Sequence, residues 1–252
     1  MLDKSIILLF HGANNYKETD KMYSDIIKRF ESEFKDFYIT DAYSSSAIRK
    51  MMKETSDFPA VKDRLDELKN KNIKEVYIAP IVLLQNKDYM RIFHTTVPFK
   101  NDYSILKYGE SLLSIPSDYD NMVSIIKEKF NDYNNYTYLF VGHGGKHHSN
   151  SAYGMLAYKL SLQNESYLSI TFSEGISLDE IKDKLLKLNK KVLIIPILIS
   201  KSFHYKNDIL DGIFNAIKEL GIKAEVFDKT LGEWDSFINL CINKTKKLIN
   251  EN

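Results

Sequence analysis

The sequence predicts an α/β fold made of two similar halves, each a parallel sheet flanked by helices. Three observations predict it. Short apolar, β-rich runs alternate with longer amphipathic stretches along the whole chain, as strand–helix–strand units do. Several of those runs are apolar throughout rather than alternating, which suits strands covered on both faces. One pattern also occurs twice: Leu9-Phe10-His11-Gly12, followed later by Tyr77-Ile-Ala-Pro80-Ile-Val-Leu-Leu, returns as Val141-Gly142-His143-Gly144, followed by Leu193-Ile-Ile-Pro196-Ile-Leu-Ile-Ser.

Taken in order, the first strand is expected over 6–10 (Ile-Ile-Leu-Leu-Phe), and the amphipathic stretch 23–34 supplies the helix after it. Strands over 37–40 and 75–81 bracket a helix over 60–70. Patterning is weakest over 100–120, where Ser114-Ile-Pro-Ser-Asp is a loop signal, so the change of domain falls within 115–135. We take it as two Rossmann-like domains, 1–125 and 126–252. The second half repeats the sequence of elements, with helices over 119–131, 179–188, 208–219 and 234–249 and strands over 137–141, 169–172 and 192–200. Ser177-Leu-Asp-Glu180 has the form of a capping box, in which hydroxyl and carboxylate satisfy orphan amides at a helix start. No low-complexity linker separates the halves, so they are expected to pack tightly, with an active-site cleft between them.

Composition narrows the function classes. With 252 residues, 44% hydrophobic and 27% charged, the chain can bury a substantial core. Lys plus Arg number 35 against 34 for Asp plus Glu, which gives no reason to expect nucleic acid or an anionic membrane as partner. The start of the chain lacks a basic region followed by an export-length apolar run, and no segment reaches the length of a membrane span, so the expected location is the cytoplasm. Cys241 is the sole cysteine; it excludes an intramolecular disulfide and a thiolate cluster and reads as a buried filler on the last helix. No pattern specifies an oligomeric state.

In open parallel sheets, ligands bind beyond the carboxyl ends of the strands. His11 and His143 each follow a first strand, and Asp88 and His204 each lie eight residues after the repeated proline. A cleft between the halves is therefore expected to gather His11, Asp88, His143 and His204 around one point. Gly144-Gly145 would leave the main chain after His143 open to close approach by a flat ligand. An isolated His-Gly is equally at home as a hydrogen-bonded turn, but the repeat favours a site. His143 and His147 are four apart, yet the glycines between them oppose the helix that H-E-x-x-H needs, and its glutamate is missing. Neither a phosphate-loop spacing nor a dinucleotide fingerprint is present, which removes the main support for nucleotide binding. Two imidazoles and one carboxylate suit Co²⁺, Ni²⁺, Fe²⁺ or Zn²⁺ without choosing among them.

These residues also carry a family resemblance. Phe140-Val-Gly-His143-Gly through His147-His148-Ser-Asn-Ser-Ala-Tyr153, Phe172-Ser-Glu174-Gly, and Pro196 through His204-Tyr-Lys-Asn207-Asp208 resemble the anaerobic-pathway sirohydrochlorin cobaltochelatases. Phe10-His-Gly12-Ala-Asn-Asn-Tyr16, Ser44 to Lys50 and Lys87-Asp88-Tyr89 resemble the same family's N-terminal motifs. The resemblance implies a chelatase-like fold and insertion of Co²⁺ into sirohydrochlorin, or precorrin-2, in anaerobic cobalamin biosynthesis. Co²⁺ is then a substrate, with Ni²⁺, Fe²⁺ or Zn²⁺ as other candidates, and no organic cofactor is needed. His143 and His204 are implied as catalytic, metal-binding histidines, and Asp88 stands where the family has a glutamate. His11, Gly12, Ser44, Arg49, Gly144, His147 and Glu174 are implied to contact the tetrapyrrole or support those that do. Arg49, Lys87, Arg91 and Lys201 are candidates to orient its carboxylates.

The chain departs from the family at His11, at Ser202-Phe203 where a Gly-Asp is expected, and after Asp208, where a Ser-Trp-Lys element is missing. Neutral imidazole suits the chemistry, because with an ordinary pKa of about 6.5 it can hold a borderline metal or accept a pyrrole proton. An iron or nickel chelatase, and a tetrapyrrole- or metal-binding protein without turnover, remain the alternatives.

Overall fold

The computed structural model describes residues 2–13, 16–52 and 58–251. The chain divides into two compact units, Met1–Ser114 with Ile238–Asn252, and Ile115–Phe237. The first unit runs β1 (Lys4–Phe10), α1 (Tyr16–Glu33), β2 (Tyr38–Tyr43), α2 (Ser46–Met52), α3 (Val61–Asn70), β3 (Glu75–Pro80), α4 (Lys87–Thr96) and β4 (Ile105–Tyr108). The second runs α5 (Pro116–Lys129), β5 (Tyr136–Gly142), α6 (Ser151–Ser161), β6 (Tyr167–Thr171), α7 (Leu178–Leu188), β7 (Lys191–Pro196), a π-type helix (Tyr205–Ile213), α8 (Phe214–Glu219) and β8 (Ala224–Val226). A last helix, α9 (Asp235–Asn250), begins in the second unit and from Ile238 onward belongs to the first. No helix among the described residues is long and apolar enough to cross a membrane.

Each sheet has four parallel strands, in the order β2-β1-β3-β4 and β6-β5-β7-β8. The expected pair of parallel α/β domains is what forms. Apolar residues without alternation are needed on β1 and β5 because each is an inner strand covered on both faces. Ile7 and Leu9 join Leu65 and Leu68 of α3 in one core, while Phe10 packs on Tyr23 of α1 with ring centroids 4.3 Å apart. In the second unit Leu139 and Val141 meet Leu185, Ile209 and Ile217, and the ring of Phe140, on the alternate face, lies 5.5 Å from that of Tyr167. Burying each such side chain stabilises by about 1.5–3 kcal/mol.

The repeat extends to the main chain. Ile81 N donates to Leu9 O and Ile197 N to Val141 O, so pairing continues one residue past each proline. Two residues before the prolines, Ile78 O accepts from Gly109 N and Ile194 O from Phe227 N; two residues after them, Val82 O accepts from Leu112 N and Leu198 O from Leu231 N. Beyond the first strands, Ser44 N bonds Phe10 O and Ser45 N bonds His11 O, matched by Phe172 N to Gly142 O and Ser173 N to His143 O.

Several boundaries differ from the sequence reading. β4 and β8 are short edge strands, half-buried along their length, so they show neither alternation nor an apolar run. The strand read to residue 200 stops at Pro196, and the helix read over 208–219 starts earlier, as the π-type segment Tyr205–Ile213, and is α-helical only over Phe214–Glu219. The units divide after Ser114 rather than at 125, because α5 lies with the second sheet. The C-terminal residues return to the first unit, where Lys246 pairs with Glu33 and Arg29 Nη2 donates to Asn239 Oδ1 at 3.2 Å. The capping box forms as read, with Ser177 N donating to Glu180 Oε2 at 2.6 Å and Glu180 N to Ser177 Oγ at 3.4 Å. Cys241 is buried, and burial pushes its thiol well above the ordinary range.

Two predictions follow from this packing. Ile242→Ala, on the part of α9 that returns to the first unit, is expected to cost about 2–5 kcal/mol and to speed amide exchange in β1–β4 more than in β5–β8. Burial pushes the hydroxyls of Tyr77, Tyr103 and Tyr153 up to about 12 from an ordinary 10. The unfolded chain therefore releases these protons first, so stability present below pH about 10 should fall as pH rises toward about 12, measurable by urea unfolding.

Candidate functional site

In the second unit the site is built by loops that stay main-chain bonded after their strands end. The bonds from Phe172 N to Gly142 O and from Ser173 N to His143 O at 2.9 Å, with Gly145 N to Glu174 O at 2.9 Å, tie the loop after β5 to the loop after β6. Gly142 lets the buried Tyr153 ring lie against the strand; a Cβ there would come within 2.6 Å of the ring's Cδ1. The Tyr153 hydroxyl, raised by burial, is drawn down in part by a hydrogen bond to the His143 backbone. Gly144 sits at φ +78°, and a Cβ on it would collide with the Glu174 carbonyl oxygen and with Thr171. The sequence reading gave Gly144 to ligand approach. The structure adds that the place of a Cβ there is taken by the protein's own main chain.

These constraints hold the imidazole of His143 with its centroid 4.6 Å from that of His204, the planes crossing at 76°. Phe172 lies 4.8 Å from His143 and stacks on His204 at 5.3 Å and 23°. His143 Nδ1 is 2.8 Å from Gly144 O. A carbonyl can only accept, so Nδ1 carries the proton. His204 Nδ1 is 2.8 Å from Asp208 Oδ2, a bond in which the imidazole again donates. Both rings thus meet the protein through Nδ1, and metal or proton chemistry on either falls to Nε2.

In the first unit the matching positions carry different chemistry. His11 follows β1, with Nδ1 3.4 Å from Ser44 Oγ and 3.8 Å from Asp88 Oδ2. Asp88 Oδ1 pairs with Arg91 Nη2 at 2.8 Å, and the same Nη2 donates to Ser44 O at 2.8 Å. Read alone, Asp88 resembles a helix cap. The cap of α4 is instead Asn86, whose side chain accepts from Tyr89 N at 2.9 Å, which leaves the Asp88 carboxylate to Arg91 and His11. Among the described residues, no group of three or more His, Cys, Asp and Glu side chains is gathered as a metal centre. Each unit presents a pair.

The other candidates are placed as follows. Gly12 sits at φ +94°, facing Ile48 of α2 and Tyr43. Ser44 is buried beside His11, and Arg49, on α2, is half-buried, its buried Nε without a hydrogen-bond partner among the described residues. His147 Nδ1 accepts from Ser149 N at 3.3 Å, capping the turn that leads into α6. Glu174 contributes its carbonyl to the loop, while its exposed carboxylate pairs with Lys146 at 3.4 Å. Lys201 is engaged by Asp228 at 2.8 Å and holds that carboxyl below its usual range. Residues 14 and 15 of the opening motif, and the side chain of Tyr16, lie outside the described residues. Sequence reasoning assigned no role to Asp208, Phe172 or Tyr153; the His204–Asp208 spacing of four was the one available signal.

Comparison with known proteins adds a family and a fold. The family model described as cobalt chelatase (CbiK) matches residues 4–250. Among solved structures, the sirohydrochlorin chelatase SirB from Bacillus subtilis subspecies spizizenii in complex with cobalt is 11% identical at a TM-score of 0.68, covering 98% of this chain and 95% of that one. SirB from Bacillus subtilis with Fe³⁺ is 12% identical at a TM-score of 0.70, covering 98% and 96%. CbiX, described as the terminal enzyme for biosynthesis of siroheme in denitrifying bacteria, is 12% identical at 0.61, covering 97% and 99%. At such identities the likeness is one of fold. No curated protein matches the chain at a significant level.

The glycine geometry yields a paired prediction. Gly144→Ala should cost more than about 1 kcal/mol, whereas Gly154→Ala, on α6 with nothing within 4 Å of a new Cβ, should be neutral or stabilising by up to about 1 kcal/mol; chemical denaturation of the two variants checks both.

Proposed function

The chain belongs to the CbiK cobalt chelatase family, and from that premise we propose that it is a sirohydrochlorin cobaltochelatase, inserting Co²⁺ into sirohydrochlorin or precorrin-2. The observation that supports this most is the imidazole pair of His143 and His204, 4.6 Å apart with each Nδ1 engaged. In this reading the two Nε2 atoms take the hydrated metal and release it to the macrocycle. Insertion exchanges metal-bound water for ring nitrogens and expels two pyrrole protons, one imidazole accepting one of them on Nε2 as it gives up the metal and solvent taking the other. An exchangeable two-imidazole hold suits a metal that must leave, where a closed four-ligand shell would retain it.

Asp88 is proposed as the charge-balancing carboxylate, on the strength of its matched offset in the repeat and of the family resemblance. Its ion pair with Arg91 keeps Oδ1 in place. His11, Gly12, Ser44, Arg49, Gly144, His147 and Glu174 are proposed on the substrate side, and the cytoplasm as the location. Iron is the second metal to consider, since related folds have been solved with cobalt and with Fe³⁺, and both accept the same ligands.

An anaerobic absorbance time course of sirohydrochlorin with Co²⁺, repeated with Fe²⁺ and Ni²⁺, tests the proposal. Wild type should insert Co²⁺ faster than the uncatalysed control, and His143→Ala and His204→Ala should each lower the rate by about 100-fold or more. Saturable binding of the ring with no acceleration for any metal would contradict turnover and favour a carrier.

A further inference from the structure

We propose that Asp208 is a positioning residue for the metal, acting through His204. This rests on the reading that His204 binds the metal. Asp208 Oδ2 lies 2.8 Å from His204 Nδ1, four residues along, at the start of the π-type helix Tyr205–Ile213 for which His204 is the N-terminal flanking residue. Wide helical turns of this kind often occur at functional sites. Phe172 stacks on the face of the same ring at 5.3 Å and 23°. The imidazole is therefore held along its Nδ1 edge by a carboxylate and over one face by a phenyl ring, and its rotation is restricted about both.

Two roles are open to such a carboxylate, and they differ in what they predict. As a stability element the pair is weak, because the two side chains are 44% and 37% exposed and an exposed pair four apart gains little over water. As the partner of a metal-binding imidazole it does three things: it selects the tautomer with the proton on Nδ1, aims Nε2, and makes that nitrogen a better donor. His143 has its Nδ1 held by a neutral main-chain carbonyl instead. Of the two rings, His204 is thus the one whose donor strength a side chain sets, and Asp208 is the residue that sets it.

The test measures Co²⁺ binding by the full-length protein without macrocycle, using equilibrium dialysis and the visible cobalt spectrum, with macrocycle affinity and melting temperature measured alongside. Asp208→Ala should weaken Co²⁺ binding about 10-fold or more with macrocycle affinity and melting temperature unchanged. Asp208→Asn keeps an acceptor for Nδ1 and should fall between wild type and Asp208→Ala. Cobalt affinity and spectrum equal to wild type in Asp208→Ala, with His204→Ala impaired, would overturn the inference alone. Cobalt binding unaffected by His204→Ala would overturn both the inference and the reading beneath it. A lowered melting temperature with cobalt affinity retained would assign Asp208 to the helix start and also overturn the inference.

Discussion

His11 and His143 are each placed by main-chain hydrogen bonds that continue past the end of their strands. His11 O accepts from Ser45 N and His143 O from Ser173 N, so in both units the residue after the first strand is still tied to the segment after the second. A side chain there projects from backbone fixed on two sides rather than from a free loop. Much else follows from this constraint. In the second unit the close pairing leaves no room for a Cβ at Gly144, and the stacking of Tyr153 leaves none at Gly142. The proline eight residues before Asp88 and before His204 ends its strand in the same register, with Leu9 opposite Pro80 and Val141 opposite Pro196.

The same scaffold carries different chemistry in its two copies. Where the second unit has Phe172 beside its histidine, the first has Ser44, which supplies a hydroxyl in place of an apolar ring. Where the second has His204, the first has Asp88. The supporting groups have changed sign accordingly. Asp88 is braced by the cation Arg91 three residues on, while His204, which offers an N–H, is braced by the anion Asp208 four residues on. Each brace supplies what its partner lacks. The first unit thus offers a carboxylate beside an imidazole, and the second offers two imidazoles with their Nδ1 edges committed.

The fold was legible in the sequence because inner parallel strands must be apolar on both faces, which makes β1, β3, β5 and β7 conspicuous. The edge strands β4 and β8 were missed for the converse reason: half-buried and short, they carry no periodicity. The repeat pointed to His11, Asp88, His143 and His204 because a fixed offset from a strand-ending proline survives as a count along the chain. What it did not convey was which groups hold those side chains. Asp208 looks in sequence like any acid in a first helical turn, and Phe172 like the end of a strand. Nor did the repeat convey that the place of a Cβ at Gly144 is held by the Glu174 carbonyl, thirty residues away in the chain.

If His143 and His204 together hold the metal, as proposed, the number of imidazoles on it reports that hold. X-ray absorption of the Co²⁺-loaded protein without macrocycle should show two imidazole ligands in wild type and one in each of His143→Ala and His204→Ala. The same imidazole count in wild type and both variants would rule out a metal held by these two rings.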